Sequence, residues 1–432
     1  MINVGPGASL VRIATVLESV FINSYLPPML PTACFQPHHC KRLKMRYKVL
    51  LSVERLNMKI VITGNMGYVG SSVVAHLRRV FPAATIVGVD SGLFGHYLTQ
   101  RAIPERNLDT QIYRDIRDPL EDVFSGADVV VHLAAVSNDP MGLRFEGVTK
   151  EVNESTSIQL AELAACSKVR HFIFASSCSI YGLADGTARS EDDTLNPLTA
   201  YARSKVGAEV GLQKIAVNTG MTICALRFAT ACGFSGRTRL DLVLNDFVAS
   251  ALSTGRISVL SDGTPWRPLI HLKDMARAIE WAIVRPAPND ECFLAVNVGS
   301  DEWNYQVADL AEAVRSFVAG TTIEINKNAQ PDKRSYRVDF SRYKSIAPNH
   351  QPQVSLEGAI RDVRDGLLSM GFKDSDYRHS NLMRLNVLDE HLAAGRIQPN
   401  LRWLAHESCS RESPSRVDRP PTVSSNEVVH TV

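Results

Sequence analysis

The 432-residue sequence lacks the patterns that mark membrane, secreted and nucleic-acid-binding proteins. No apolar run is long enough to cross a bilayer, and Arg12 and Glu18 interrupt the moderately apolar stretch 8–26, which makes a poor signal peptide. The eight cysteines include no C-x-x-C pair, so we expect free thiols in a reducing compartment, the cytoplasm. A formal net charge of only +2 argues against a nucleic-acid surface, which needs clustered basic residues.

A metal site is not predicted either. The nearest approach to a ligand cluster is formed by Cys34, His38, His39 and Cys40. Their spacing matches no standard zinc motif. They lie in residues 1–57, which differ from the rest of the chain in their prolines and basic stretch. We expect this segment to be a poorly ordered N-terminal extension, which arises either from a start codon upstream of a true start at Met58 or from a short targeting sequence.

The stretch MKIVITGNMGYVG, residues 58–70, predicts a strand, a glycine turn and a helix in immediate succession. Its first six residues form an apolar run typical of a buried parallel strand. Gly64 permits a tight turn, Gly67 lets phosphates approach the backbone, and Gly70 lets the helix pack closely on the strand. Because free N–H groups and the positive end of the helix meet there, the turn suits a pyrophosphate.

The next predicted strand, 85–89, ends in Asp90, twenty residues beyond Gly70. A carboxylate at this position can accept hydrogen bonds from both hydroxyls of the adenosine ribose, and it would repel a 2′-phosphate. The expected cofactor is therefore NAD rather than NADP.

Strands and helices alternate along the following residues. The further predicted strands are 111–114, 128–133, 170–175 and 222–228, and a helix is predicted over 154–167 with Asn153 as its N-cap. This alternation predicts an α/β fold with a doubly wound parallel (Rossmann) sheet.

Two strand ends add candidate cofactor contacts. Asp115 follows the third strand, where its carboxylate can accept from an adenine amino group, although a solvated loop acid is an equal alternative. Ile116 can cover the face of the adenine ring. The fourth strand ends in the small apolar residues Leu133, Ala134 and Ala135. Their size lets the cofactor backbone lie close.

Candidate catalytic residues follow the fifth strand, which runs into SSCSIYG at 176–182 and then YARSK at 201–205. In a helix, Tyr201 and Lys205 project from the same face. An ammonium group beside a phenol favours the phenolate and lowers the tyrosine pKa toward working pH. A serine at the adjacent strand end can hydrogen-bond the reacting oxygen.

Over residues 58 to about 371 the chain resembles extended short-chain dehydrogenase/reductases of the NAD-dependent nucleotide-sugar epimerase/dehydratase branch. The motifs that carry the resemblance are GNMGYVG, Asp90, DIRD, HLAAVSNDP, ASSCSIYG, YARSK and RPLIHLKDMARAI. It implies that Tyr201 is the catalytic base or acid and that Lys205 is its pKa partner and a ribose ligand. Ser177 would hydrogen-bond the substrate oxygen, and Asn153 would help to orient the lysine or the cofactor.

The resemblance also implies the remaining site residues. The expected NAD contacts are Gly64, Gly67, Tyr68, Val69, Gly70, Asp90, Asp115, Ile116, Leu133, Ala134, Ala135, Asn153, Tyr201, Lys205 and Phe228. The expected substrate contacts are Ser177, Thr230, Asn245, Arg267 and Arg334. Arg237, Arg239 and Asn245 could meet phosphates or base, with a solvated basic loop as the alternative.

The implied organisation has two parts and two extensions. Residues 58–230, with 264–300 returning to them, would form the NAD-binding domain. Residues 231–263 and 301–371 would form a smaller C-terminal substrate-binding α/β subdomain. Residues 372–432 would be an extension that is largely disordered after about 407. The family also implies a homodimer, with the Tyr201 helix and the helix before it at the interface.

The resemblance leaves a choice among reactions. Sugar 4,6-dehydratases carry Asp-Glu after the Ser/Thr, where this chain has Cys178 and Ser179, so elimination is unsupported and Cys178 reads as a small packing residue. The implied reaction is epimerisation of a nucleotide-diphosphate sugar, commonly at C4, by transient oxidation to a ketosugar and hydride return to the opposite face. The alternatives are a nucleotide-sugar dehydratase or dehydrogenase/reductase of the same family and a non-catalytic NAD-sensing protein.

Overall fold

The computed structural model describes residues 58–183, 186–286, 291–329 and 335–404. The strands in these residues are β1 (Lys59–Thr63), β2 (Thr85–Asp90), β3 (Thr110–Tyr113), β4 (Val129–His132), β5 (His171–Ser177), β6 (Ala188–Arg189), β7 (Thr222–Phe228), β8 (Thr230–Cys232), β9 (Arg256–Val259), β10 (Trp266–His271), β11 (Phe293–Val298), β12 (Asn304–Gln306), β13 (Thr322–Ile325) and β14 (Arg337–Val338).

The α-helices in the same residues are α1 (Tyr68–Val80), α2 (Glu121–Phe124), α3 (Asp139–Arg144), α4 (Glu146–Lys150), α5 (Thr156–Cys166), α6 (Ala200–Thr219), α7 (Val243–Thr254), α8 (Leu272–Val284), α9 (Val307–Phe317), α10 (Ser341–Ile346), α11 (Leu356–Ser369) and α12 (Arg384–Ala393). Within this part of the chain, no helix combines the length and the apolarity that a bilayer crossing needs.

Seven parallel strands form the central sheet, in the order β11-β7-β5-β4-β1-β2-β3. Successive residues of β1 enter opposite faces: Ile60 and Ile62 pack with α1 and α8, whereas Val61 packs with α5 and α6. Both faces are buried, as a parallel sheet requires, because alternate side chains point to opposite sides. The predicted doubly wound sheet is confirmed.

The strand order reverses between β1 and β4. From β1 the chain builds outward through β2 and β3, and it then crosses to place β4 on the other side of β1. The connections that leave β1 and β4 therefore diverge at the carboxyl edge of the sheet. A doubly wound sheet binds its ligand in the crevice that this divergence opens.

A second, smaller group of elements contains three small sheets and a core of its own. Its sheets are β12-β10-β8, β13-β9 and β14-β6, and its core lies among α7, α9 and α11. Within residues 264–300, β11 joins the central sheet and α8 packs against α1, whereas β10 pairs with β8 in parallel and with β12 in antiparallel orientation.

The helical segment before β5 starts earlier than predicted. Residues Glu146–Lys150 form α4, Glu151–Ser155 a single π-helical turn, and α5 follows without interruption. Asn153 therefore lies inside continuous helix, and the prediction that it is an N-cap is wrong. Its amide instead bonds other parts of the fold, as described below.

Residues 372–404, which we call the C-terminal segment, continue beyond the stretch covered by the resemblance and are folded. They contain α12 and an isolated bridge between Ile397 and Trp403. Leu388, Ile397 and Leu401 pack in a small apolar cluster with residues that follow β4. The expectations for residues 1–57 and for those after 407 lie outside the described residues.

Candidate active site

A cleft of about 800 Å³ opens at the carboxyl edge of the central sheet. The predicted residues that line it are Gly64, Gly67, Tyr68, Val69, Gly70, Asp90, Asp115, Ile116, Leu133, Ala134, Ala135, Ser177, Tyr201, Lys205, Phe228, Thr230 and Arg267. The fold thus brings the glycine turn, the strand ends and the Tyr-Lys pair to one place. Arg334 lies outside the described residues.

The glycine turn leaves no room for side chains. Gly64 has φ +75°, and a Cβ on it would lie 2.5 Å from the backbone nitrogen of Ala134. A Cβ on Gly70 would lie 2.4 Å from the carbonyl oxygen of Gly64. Because α1 begins directly after Gly67, its free N–H groups face the cleft at this turn. This cradle fits a dinucleotide pyrophosphate.

Asp90 connects β2 to the glycine turn. Its Oδ2 accepts from the backbone N–H of Met66 at 3.0 Å and its Oδ1 from that of Gly92 at 2.8 Å. Burial raises the pKa of this carboxyl, although the two backbone hydrogen bonds oppose the rise. Asp90 also lines the cleft, where the adenosine ribose is expected.

Asp115 has a partner that the sequence analysis did not anticipate. Arg117 donates to its carboxylate from Nε at 2.9 Å and from Nη2 at 2.7 Å. Burial acts to raise the pKa of Asp115, but the hydrogen bonds from Arg117 outweigh it and hold the pKa below its usual range. Asp115 is therefore a stable anion at the adenine end of the cleft.

Tyr201 and Lys205 are held by α6. This helix starts where Thr199 caps it by accepting from the N–H of Ala202 at 3.1 Å, and it ends at Gly220, with φ +72°. The Lys205 ammonium donates to the carbonyl of Ala175 at 2.7 Å, and its Nζ lies 5.7 Å from the centroid of the Tyr201 ring.

Burial dominates the ionisation of this pair. It raises the pKa of Tyr201 to about 12, and a hydrogen bond with Ser177 only partly offsets the rise. Burial also lowers the pKa of Lys205 to about 7. Desolvation of the phenol thus outweighs the neighbouring charges, and the expectation that Lys205 lowers the tyrosine pKa stays a prediction.

The residues next to Ser177 face inward. Ser177 accepts from the N–H of Ser179 at 3.1 Å and lines the cleft, whereas Cys178 is fully buried and its thiol donates to the carbonyl of Arg227 at 3.0 Å. Burial raises the pKa of this thiol. Cys178 packs in the core, in accord with its interpretation as a packing residue.

Beneath the site, a buried ion pair connects α6 to the central sheet. Glu209 accepts from Nη2 of Arg227 at 2.8 Å, and both side chains are almost fully buried. Ser176 donates to the same carboxylate, and Arg227 donates to the hydroxyl of Tyr181 at 3.1 Å. Tyr181 in turn donates to Asn297 of β11 at 2.7 Å.

Two predicted contacts are corrected by the structure, because neither residue lines the cleft. Asn245 is fully buried, accepts from the N–H of Gly233 at 3.1 Å and donates to the Tyr68 hydroxyl at 2.9 Å. Asn153 accepts from the N–H of Val136 at 2.8 Å and donates to its carbonyl at 3.0 Å. Both amides satisfy buried backbone groups, so they position neighbouring chain instead of contacting ligand.

Tyr68 and Arg237 are also engaged elsewhere. The Tyr68 ring lines the cleft, but its hydroxyl donates to the carbonyl of Gly233 at 2.7 Å. Arg237 forms a buried ion pair with Glu105 at 2.6 Å, so it is not available to a substrate phosphate. Its neighbour Arg239 does line the cleft, where it pairs with Asp241.

Several residues of the cleft were not predicted from the sequence, among them Asp139, Asp241, Tyr336, Arg378 and Arg384. Asp139 lies within the HLAAVSNDP motif but received no role, and Arg378 and Arg384 come from the segment beyond the resemblance. Among the described residues, no group of three or more histidine, cysteine, aspartate or glutamate side chains is arranged to hold a metal ion.

Residues 60–299, more than half of the chain, match the model of the NAD dependent epimerase/dehydratase family. The chain belongs to this family. Its cofactor is NAD, for which the glycine turn and Asp90 provide the fitting site.

The similar proteins include both epimerases and dehydratases. A Bacillus subtilis (strain 168) protein described as an uncharacterized UDP-glucose epimerase is 25% identical over 313 residues, 70% of this chain and 96% of its own length. The dTDP-glucose 4,6-dehydratase of Streptomyces griseus is 25% identical over 312 residues, 71% of this chain and 91% of that protein. At this identity the relatives do not decide between epimerase and dehydratase.

A solved structure shows the same architecture. The UDP-glucuronic acid 4-epimerase from Bacillus cereus, in complex with UDP-glucuronic acid and NAD, is 25% identical with a TM-score of 0.60. The match covers 72% of this chain and the whole of that one. This chain thus has the fold of a solved sugar-nucleotide epimerase that holds NAD.

Proposed function

We propose that this chain epimerises a nucleotide-diphosphate sugar at C4, by transient oxidation to a ketosugar and return of the hydride to the opposite face. The observation that carries the proposal is the convergence of Ser177, Tyr201 and Lys205 in the cleft, beside the glycine turn. Neither residue after Ser177 carries a carboxyl group, so the acid pair that elimination needs is not at those positions.

The proposed roles follow from where each group lies. Tyr201 takes the proton of the sugar hydroxyl as base and later returns it as acid, and Ser177 holds the same oxygen by a hydrogen bond. Bound NAD supplies the hydride acceptor and the positive charge of its oxidised ring. Because burial is the main cause that holds the pKa of Tyr201 at about 12, added positive charge is needed to populate its phenolate.

The charge of Lys205 depends on pH and on the groups next to it. Its pKa of about 7 means that the ammonium is only partly populated at neutral pH. A neighbouring carboxylate raises that pKa, and Glu209, one turn further along α6, is the anion that does so. We therefore assign Glu209 a positioning role, in which it sustains the charge of Lys205.

The substrate side has matching features. Thr230 at the start of β8 and Arg267 in β10 both line the cleft, and their strands pair in one small sheet. A guanidinium group binds two phosphate oxygens in a fork, which supports a diphosphate ligand for Arg267.

A dehydration is the second candidate, and one observation favours it. Asp139, the first residue of α3, lines the cleft, and its charge contributes to the raised pKa of Tyr201. A carboxyl group this close to the phenol could serve elimination in place of the acids that Cys178 and Ser179 replace.

The test is incubation with UDP-, GDP-, dTDP- and CDP-sugars, with the product followed by NMR and NADH by absorbance. We expect an epimer and no accumulation of NADH. A 4-keto-6-deoxy product that is lost in Asp139→Asn would establish dehydration instead, and stoichiometric NADH would establish a dehydrogenase. NAD binding without turnover of any sugar would favour an NAD-sensing protein.

Tyr201→Phe is the matched variant, since it removes only the hydroxyl. We expect kcat to fall ~10²–10⁴-fold with NAD binding retained, the range for loss of a general acid–base. Full activity in this variant would eliminate Tyr201 as the base.

A further inference from the structure

The C-terminal segment lies against the loops that form the adenosine half of the NAD site. The indole N–H of Trp403 donates to the carbonyl of Ser91 at 2.6 Å, directly after Asp90. His391 of α12 meets the carbonyl of Leu93 at 2.9 Å through Nε2. The loop that follows β2 thus forms hydrogen bonds with residues that lie beyond the part of the chain that matches the family model.

The same segment reaches the loop after β3, where adenine is expected. Arg117, the partner of Asp115, also donates to the carbonyl of Asn400 at 2.9 Å. Arg402 forms an ion pair with Asp118 at 2.5 Å. A second cavity, next to the cleft, has both Arg402 and residues of the β2 and β3 loops in its wall.

Arg384, the first residue of α12, is a buried cation for which the described part of the chain provides no ion-pair partner. Its side chain lines the cleft, and the residue is only 3% exposed. It donates to the carbonyl of Arg237 at 2.7 Å, and its guanidinium lies 4.5 Å from the centroid of the Phe94 ring. Within the described residues, no carboxylate lies in ion-pair distance of it.

The carboxylates near Arg384 are already engaged. Asp241 is paired with Arg239, and Asp90 accepts from two backbone N–H groups. Burial and the like charges of Arg239 and Arg237 lower the pKa of Arg384 to about 9, although the carboxylates of Asp241 and Asp90 oppose the fall. Because a buried charge without a direct ion pair is costly, this position favours an anion arriving from outside the chain.

We propose that Arg384 is a ligand of the NAD diphosphate and that the C-terminal segment closes the adenosine half of the cleft over the bound cofactor. The proposal rests on NAD binding and does not depend on which reaction follows. Arg384 packs on Phe94 in the loop after Asp90 and lies near enough to Asp90 for that carboxylate to influence its pKa, whereas the expected substrate diphosphate ligand, Arg267, belongs to β10 of the smaller sheet. NAD then leaves only when the segment moves.

The test compares the full-length wild type with Arg384→Gln, Arg384→Lys and the control Arg396→Gln. Arg396 is in the same segment, but it is exposed and pairs with Glu390 at the surface. NAD release is timed by trapping the freed cofactor with an NAD-consuming enzyme. A charge-assisted hydrogen bond supports an expected ~10–100-fold faster release in Arg384→Gln. We expect partial rescue in Arg384→Lys and no change in Arg396→Gln.

The affinity for UDP, measured by calorimetry on the same proteins, shows whether Arg384 contacts the diphosphate of NAD or that of the substrate. Unchanged UDP binding with faster NAD release supports the proposal. Weaker UDP binding with unaltered NAD release would assign Arg384 to the substrate and overturn it. Release of NAD from Arg384→Gln within twofold of the wild-type rate would overturn it as well.

Hydrogen exchange on the wild type keeps the proposal testable if Arg384→Gln does not fold. Addition of NAD to the cofactor-depleted protein should slow exchange of the backbone amides in α12 by at least about tenfold, since opening of a lid must precede their exchange. If NAD does not change the exchange rates of the α12 amides, the proposed closure is wrong. Slowing by UDP alone would refute it too.

Discussion

Replacement of Lys205 with methionine should stabilise the protein at neutral pH while it removes activity. The ammonium is buried and ionises at about 7 instead of the usual 10.5. At ~1.4 kcal/mol per pH unit, this difference corresponds to ~4–5 kcal/mol of unfavourable free energy when the group is charged. Loss of the hydrogen bond to the Ala175 carbonyl costs ~1–3 kcal/mol of this gain, so the net increase in the free energy of unfolding is ~1–4 kcal/mol.

The sign of the pH dependence follows from the same values. Below pH 7 the lysine is protonated in both states, and the full penalty is present. Between pH 7 and 10.5 the unfolded chain binds the extra proton, so wild-type stability rises with pH relative to that of the variant. The advantage of Lys205→Met should therefore shrink as pH rises from 7 to 9.

Urea denaturation of both proteins at pH 6, 7, 8 and 9 measures this difference. Taking the difference between the two proteins cancels the contributions of other titrating groups, which they share. Lys205→Gln serves as a control, because it keeps a donor for the Ala175 carbonyl but carries no charge. A stability difference that is constant from pH 6 to 9 would show that Lys205 ionises near its ordinary pKa, and the reasoning about its burial would be wrong.

Three further predictions concern the ion pair, the glycine turn and the assembly. Glu209→Gln should lower the free energy of unfolding by ~3–5 kcal/mol, because Arg227 is left buried and unpaired. The double variant Glu209→Leu/Arg227→Met should recover most of this loss. Urea titrations of both variants measure the two losses, and equal losses would contradict the prediction. Gly64→Ala should abolish copurified NAD and lower stability by ~1–3 kcal/mol, because its Cβ would meet Ala134 at positive φ, and nucleotide released on denaturation would show whether NAD is retained. The homodimer stays a prediction, and sedimentation velocity that gave only the monomer mass of 47.6 kDa would exclude it.

The sequence predicts the NAD-binding half well because its signals are local. Gly70 packs on Gly64 within the same turn and Asp90 accepts from nearby Gly92, so residue spacing carries much of this geometry, although Gly64 also meets the distant Ala134. The apolar runs of the central strands are long enough to identify them, and β7 begins and ends at the predicted residues. Tyr201 and Lys205 share a face of α6 as helical spacing requires.

The errors fall where distant parts of the chain meet. The amide side chains of Asn153 and Asn245 can hydrogen-bond a ligand or a buried backbone group equally well. Only the fold shows that they bond the backbone of Val136 and Gly233. Arg384 joins the cleft from far along the chain, so no local pattern marks it. The high pKa of Tyr201 reflects burial, which a residue spacing does not report.

The hydrogen-bonded chain from Ser176 through Glu209, Arg227 and Tyr181 to Asn297 fixes the reactive helix to three neighbouring strands of the central sheet. None of these side chains belongs to the elements built around α7, α9 and α11. Under the proposed function, sugar preference can therefore change through replacements in the smaller group of elements, while the relative positions of phenol, ammonium and nicotinamide stay constant. Such a division would let one ancestral chemistry serve many saccharides.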